Sequence, residues 1–272
     1  MMRRLASGVL PIYALLYLAF LYLPILFLPL FSFNDSKILA FPMSGFTTKW
    51  YAALGHETQL LNALGNSIIV GLFSTVFATA IGSLTARAIT RYRFPLRRSS
   101  QALQMAPLVM PEVIVAVSLL IMFLSLGLSL SLFTVALAHV LVTIPYSISI
   151  MTSAFEQFDD SLEEAAIDLG EGEWGALRRV TLPVVAPGIV SSLLVGFTVS
   201  FDEFIMAFFL TGTEPTLPVY IWSQVRFPAK LPIVLALGTL LILASLALLL
   251  AAEYFRRRSL RLSAVQEGVP IA

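Results

Sequence analysis

Three carboxylates interrupt runs that are otherwise apolar: Glu112 in Met110-Pro111-Glu112-Val113-Ile114, and Asp202 and Glu203 in Ser200-Phe201-Asp202-Glu203-Phe204. An ionisable group inside hydrocarbon costs about 3 kcal/mol on insertion scales, so it faces a cavity or a partner. The chemistry open to it there is cation binding or proton carriage. The structural alternative is a neutral acid held by a hydrogen bond to a neighbouring helix, and the sequence leaves both open. Adjacent helical residues point about 100° apart, so Asp202 and Glu203 need not face one pathway. No Lys or Arg lies between Arg98 and Arg178, or between Arg179 and Arg226. A pathway lined by this chain is therefore acidic or neutral, unless a partner subunit brings positive charge. That favours a cationic or neutral cargo over sulfate or phosphate.

Covalent chemistry has no nominee. The chain has no cysteine, no G-x-x-x-x-G-K-[ST] phosphate loop, no G-x-S-x-G and no H-E-x-x-H. His139 has no second His or Cys nearby to complete a metal site, so it reads as a packed, hydrogen-bonded residue.

The longest polar stretch between apolar runs is FDDSLEEAAIDLGEGEWGALRRVTLP, residues 158–183, with seven carboxylates and Glu156 just upstream. Its first half reads as a short helix. Ser161 and Glu164 form an S-x-x-E capping box, and Asp159 and Asp160 stand where a helix N-terminus favours negative charge. Leu162, Ala165, Ala166 and Leu169 share one narrow face. Gly170 can take the left-handed position that closes the helix. Such a face suits either a groove on another protein or the surface of a bilayer.

The elements that position these groups follow from composition. Of 272 residues 58% are hydrophobic and 12% charged, and the mean hydropathy is +0.89. Soluble domains carry about 25% charged residues, so this is an integral membrane protein. Six apolar runs approach the roughly 20 residues needed for a crossing: about 9–33, 66–88, 101–126, 129–153, 188–211 and 233–254. The first is longer than a signal-peptide core and lacks a small-residue cleavage site, so it reads as an uncleaved span. Pro107 and Pro111 should bend the third span, with Glu112 near mid-depth, and spans three and four form a tight hairpin at 127–128. The expected fold is all-α, one domain of six transmembrane helices.

Lys and Arg set the orientation. With the N-terminus cytoplasmic, the inside segments hold Arg3, Arg4, Arg87, Arg91, Arg93, Arg97, Arg98, Arg178, Arg179, Arg256, Arg257, Arg258 and Arg261. The outside loops hold only Lys37, Lys49, Arg226 and Lys230. Asn62, Asn66 and Ser67 read as caps at the start of span two, and Glu253 as a local partner of Arg256 and Arg257. Arg256 to Arg258 read as a stop at the anionic inner leaflet. Trp50-Tyr51 and Tyr220-Ile221-Trp222 read as interfacial anchors or contacts for an external partner.

Glu164-Ala165-Ala166, then Gly170, Val180, Leu182 and Pro183, match E-A-A-x3-G-x9-I-x-L-P, with valine in place of isoleucine. This resembles the signature loop of the membrane subunits of type I bacterial ABC importers. The resemblance implies a permease core over 62–254, preceded by a span and external loop over 1–61 and followed by a basic tail over 255–272. It implies that Glu164, Ala165, Ala166, Gly170, Leu182 and Pro183 belong to a coupling helix docking on an ATPase dimer, which carries the ATP and magnesium. The other implied partners are a second permease subunit, an extracytoplasmic solute-binding protein and membrane lipid, not nucleic acid. Phe33-Asn34-Asp35-Ser36, the Glu112 and Asp202-Glu203 motifs, Thr216-Leu217-Pro218 and Gln224-Val225-Arg226 are similar to the second permease subunit of spermidine/putrescine importers. That implies a polyamine cargo, a heterodimeric pair and a substrate pathway that includes Glu112, Asp202 and Glu203. Relatives carry other amines, amino-acid derivatives or opines. An ion-gradient-driven secondary transporter is the competing class, and it would move substrate without an ATPase.

Overall fold

Apolar runs with no charge to satisfy become helices, because a helix bonds all its backbone polar groups within one segment. The computed structural model describes residues 2–247 except 39, 94 and 96. Among these residues the regular structure is helical, with one isolated bridge between Asn34 and Phe46. Five helical stretches are long and apolar enough to cross a membrane: Leu10–Ser32, Thr58–Arg91, Leu132–Glu156, Glu173–Asp202 and Pro228–Ala247. A sixth crossing is made if the bent pair Ser99–Val109 and Glu112–Ser125 counts as one span.

The chain divides into two compact units, residues 59–222 and residues 1–58 with 223–272. The larger is built on α3 (Thr58–Arg91), α6 (Leu132–Glu156) and α9 (Leu182–Asp202). A Cβ at Gly82 of α3 would lie 2.6 Å from the Ser147 Cβ and 2.9 Å from its carbonyl carbon, so α3 and α6 meet nearly backbone to backbone. Polar rungs join the three helices: Thr79 and Ser192 hydroxyls at 2.9 Å, the Ser74 hydroxyl donating to the Ala136 carbonyl at 3.1 Å, and His139 Nδ1 with the Ser200 hydroxyl at 2.8 Å. His139 is buried, as its isolation in the sequence suggested. Beside them, α5 (Glu112–Ser125) and α10 (Ile205–Leu210) share an apolar core with α6, formed by Val115, Ala116, Phe123, Val135, Val142, Met206 and Leu210.

Several expectations are corrected. Span two begins at Thr58, not 66, and Asn66 and Ser67 lie inside α3. Asn66 Nδ2 donates to the Pro215 carbonyl at 3.0 Å, and the Ser67 hydroxyl accepts from the Leu217 N–H at 2.8 Å. They fasten the 211–217 loop rather than cap a helix. Span three is α4 (Arg97–Val109) and α5, bent by 100°. Glu112 is therefore the first residue of α5, at the bend that Pro107 and Pro111 foretold. Span five is continuous from Glu173 to Asp202 and stops there, with α10 starting afresh at Ile205. Polar Glu173 to Thr181 are thus part of a spanning helix, through α8 (Glu173–Ala176) and one π turn, Leu177–Thr181.

The smaller unit holds α1 (Met2–Ser32), α2 (Lys49–Leu54) and a helix over residues 231–247. Trp50 is buried, its indole N–H donating to the Asn34 carbonyl at 2.7 Å, and the Tyr51 hydroxyl is 2.6 Å from that of Ser32. This pair closes the loop after α1. Glu253, Arg256 to Arg258 and the 255–272 tail lie outside the described residues.

Candidate functional site

The signature loop folds into α7, Asp160–Asp168. Asp159, not Ser161, is its cap: the Asp159 carboxylate accepts the Ser161 backbone N–H at 3.0 Å. Two cap-forming residues two apart compete here, and the carboxylate wins at a helix N-terminus because charge as well as a lone pair is matched. Bonding to Ser161 holds the Asp159 carboxyl below its ordinary range. At the other end Gly170 has φ +95°. Its N–H bonds the Ile167 carbonyl at 2.9 Å, and the Glu171 N–H bonds that of Ala166 at 3.1 Å. Those two bonds complete the C-terminal motif that glycine makes possible.

The face expected to be apolar points away from the rest of this chain. Leu162 is 46% exposed and Leu169 89%, Ala165 is exposed and Ala166 half-buried. Trp174, the second residue of the next helix, is 73% exposed. Glu164 is also exposed. Leu182 and Pro183 stand where the π turn passes into α9. Proline has no N–H to give and breaks an ordinary helix. At the junction the ladder is already shifted, with the Leu182 N–H bonding Leu177 rather than Arg178.

The opposite face of α7 is tied down by Glu163, to which the sequence assigned no role. Its side chain is buried. One oxygen accepts from Arg87 Nη2 at 2.8 Å, and the other from the Thr181 hydroxyl at 2.9 Å. Arg91, one turn after Arg87, pairs with Asp160 at 2.8 Å, and Arg179 pairs with Glu171. Burial opposes ionisation of Glu163, but the Arg87 and Thr181 bonds, with the charges of Arg87 and Arg91, hold its carboxyl below the ordinary range. A cavity of about 210 Å³ adjoins this clamp, lined by Arg87, Arg91, Arg97, Glu156, Asp160 and Glu163 among others. The signal available was spacing: cations at i, i+4 in Arg87 and Arg91 match acids at i, i+3 in Asp160 and Glu163.

The membrane acids stand at two helix breaks. Glu112 opens α5 where the helix dipole favours it, and it lines a cavity of about 430 Å³ with Pro107, Met110, Pro111, Tyr146 and Ile205. Ile205 opens α10, so the cavity brings the two breaks together. Glu203 ends α9 with an extended backbone, and its Oε1 accepts the Met206 N–H at 3.0 Å. That is a capping role for α10. Asp202 is the last residue of α9, where negative charge opposes the dipole, and it does not line this cavity. Among the described residues neither Glu112 nor Asp202 forms an ion pair.

Residues 78–261 match the family model described as binding-protein-dependent transport system inner membrane component. The chain is 36% identical over 227 residues to the spermidine/putrescine transport system permease protein PotC of Escherichia coli (strain K12), covering 83% of this chain and 85% of that one. It is 33% identical over 221 residues to the putrescine transport system permease protein PotI of the same organism, covering 78% of each. A crystal structure of a bacterial ABC transporter involved in the import of the acidic polysaccharide alginate contains a chain of similar fold. The TM-score is 0.73 at 16% identity, over 94% of this chain and 98% of that one.

Proposed function

This chain belongs to the family of binding-protein-dependent transport system inner membrane components, and from that premise we propose that it is a permease subunit of an ATP-driven polyamine importer. It pairs with a second, different permease subunit to form the pathway, and a binding protein delivers spermidine or putrescine from outside. ATP and magnesium act on a separate ATPase pair, and this chain performs no covalent step. The names of the relatives support a cationic cargo, and so do Glu112 and Asp202, which form no ion pair among the described residues. Another amine, amino-acid derivative or opine would fit the same charge pattern.

The observation that carries the reading is α7 itself: clamped on one face by arginines and capped at both ends, with an apolar face presented outward. Glu164, Ala165 and Ala166 lie on the docking helix, Gly170 closes it, and Leu182 and Pro183 open α9 beyond the π turn. The excess of Lys and Arg in segments on the α7 side supports a cytoplasmic α7 and cytoplasmic termini. Closure of the ATPase pair moves α7, the cavity between the permease subunits opens outward to the loaded binding protein, and hydrolysis resets it. Glu112 and Asp202 offer negative charge to the cargo on the way, and Glu203 shapes the break beside them.

Purification in mild detergent should recover an ATPase and a second six-span subunit with this chain. The reconstituted complex should take up radiolabelled spermidine only with ATP and binding protein present. Uptake by this chain alone in liposomes, without ATP, would reject the importer in favour of a gradient-driven carrier.

A further inference from the structure

Glu163 is the only buried carboxylate among the described residues. It lies on a helix whose other acids, Asp160, Glu164 and Asp168, are exposed. Burial of a carboxylate is unfavourable unless charge and hydrogen bonds both answer it. Here they do, from two different elements. Arg87 comes from the last turn and a half of α3, and Thr181 is the final residue of the π turn near the start of the 173–202 span. Arg91 adds a second, more exposed tie between α3 and Asp160. One carboxylate therefore joins α7 to the ends of two spanning helices. Any displacement of α7 relative to either helix must break a charge-assisted bond and strand a buried charge, so moving the three together is the easier course.

We propose that Glu163, through Arg87 and Thr181, is the positioning residue that makes α7, the end of α3 and the start of the 173–202 span one rigid lever. Motion imposed on α7 is thereby passed into the membrane. This rests on the reading of α7 as the ATPase-docking helix. The clamp acts through α7 and touches neither cargo nor nucleotide.

The test uses the complete importer with spin labels on Leu84→Cys, at the lever end of α3, and Leu124→Cys, an exposed position on α5 outside the lever. The readout is the fraction of complexes whose label distance shifts on ATP binding, which does not depend on the identity of the cargo. Glu163→Gln and Arg87→Gln should lower that fraction about 2- to 30-fold, the range found when residues that couple distant sites are altered, while the ATPase still co-purifies. Thr181→Val, which keeps shape and charge balance, should give a smaller loss in the same direction. The doubly substituted Glu163→Gln/Arg87→Gln importer should be no worse than either single variant. An undiminished shift in the Gln variants, or no shift in the parent complex, overturns the lever. So does loss of the ATPase from the Gln variants, which would make Glu163 a docking residue. Leu169→Glu separates the two readings: it should release the ATPase, and if it does not, the docking reading of α7 fails.

Discussion

At α7 three carboxylates meet arginines of the same chain, Glu163 with Arg87, Asp160 with Arg91 and Glu171 with Arg179. Among the described residues Glu112 and Asp202 at the helix breaks meet none, while Glu203 accepts a backbone N–H from Met206. Both regions are acidic and both sit at helix ends. The difference is where the balancing charge resides. Charge answered internally fixes geometry, because each group loses its partner if the elements slide. Charge left unanswered is available to an incoming cation, and it holds less of the fold together.

The comparison breaks most sharply at the end of α7. Proline at position 170 would force φ near −65° and remove the N–H that bonds Ile167, against an observed φ of +95°. Gly170→Pro should abolish uptake while the protein still reaches the membrane fraction at normal levels. Normal uptake in that variant would separate α7 from transport altogether.

Within the clamp, burial ranks the pairs. Arg87→Ala strands a buried carboxylate and should destabilise the protein by about 3 kcal/mol. Arg91→Ala removes a pair whose Asp160 side chain is 62% exposed, and should cost under about 1 kcal/mol. Thermal midpoints in detergent measure both, and equal shifts would mean that Glu163 is not the anchor.

The breaks should behave in the opposite way. Glu112→Gln and Asp202→Asn should leave the midpoint nearly unchanged but raise the KM for a polyamine about tenfold, the scale of one charge-assisted hydrogen bond. Unaltered uptake kinetics would make both residues structural.

The smallest effect is with pH. Glu163 has its carboxyl held below the ordinary value of 4.5 in the folded protein, so its ionised form is the stabilising one. Its contribution is full above that value and is lost as pH falls through the lower folded value. The midpoint difference between the parent protein and Glu163→Gln should be flat from neutral pH down to about 4.5 and shrink below it. A difference that grew on acidification would contradict the ion pair.

Much of this was legible in the chain itself. Apolar runs mark the crossings because a bilayer has one thickness and a helix one rise per residue. Gly170 was readable as a left-handed stop, since the conformation strains every residue with a side chain. The Asp159 cap was misread as Ser161, because both residues satisfy the same local rule. The prolines at 107 and 111 foretold a bend but not one of 100°.

What the sequence by itself determined, then, is what depends on neighbours within a turn or two: membrane class, helix faces, the α7 stop and the family signature. Tertiary structure alone decided the partners that are distant along the chain. Asn66 and Ser67 find theirs 149 and 150 residues away, and Glu163 finds Arg87 76 residues before it. On a polar helix face a carboxylate bound for burial looks the same as one bound for water. Only the helices that close around it determine which it becomes, because the field at a charge depends on what is near in space and not on what is near in sequence.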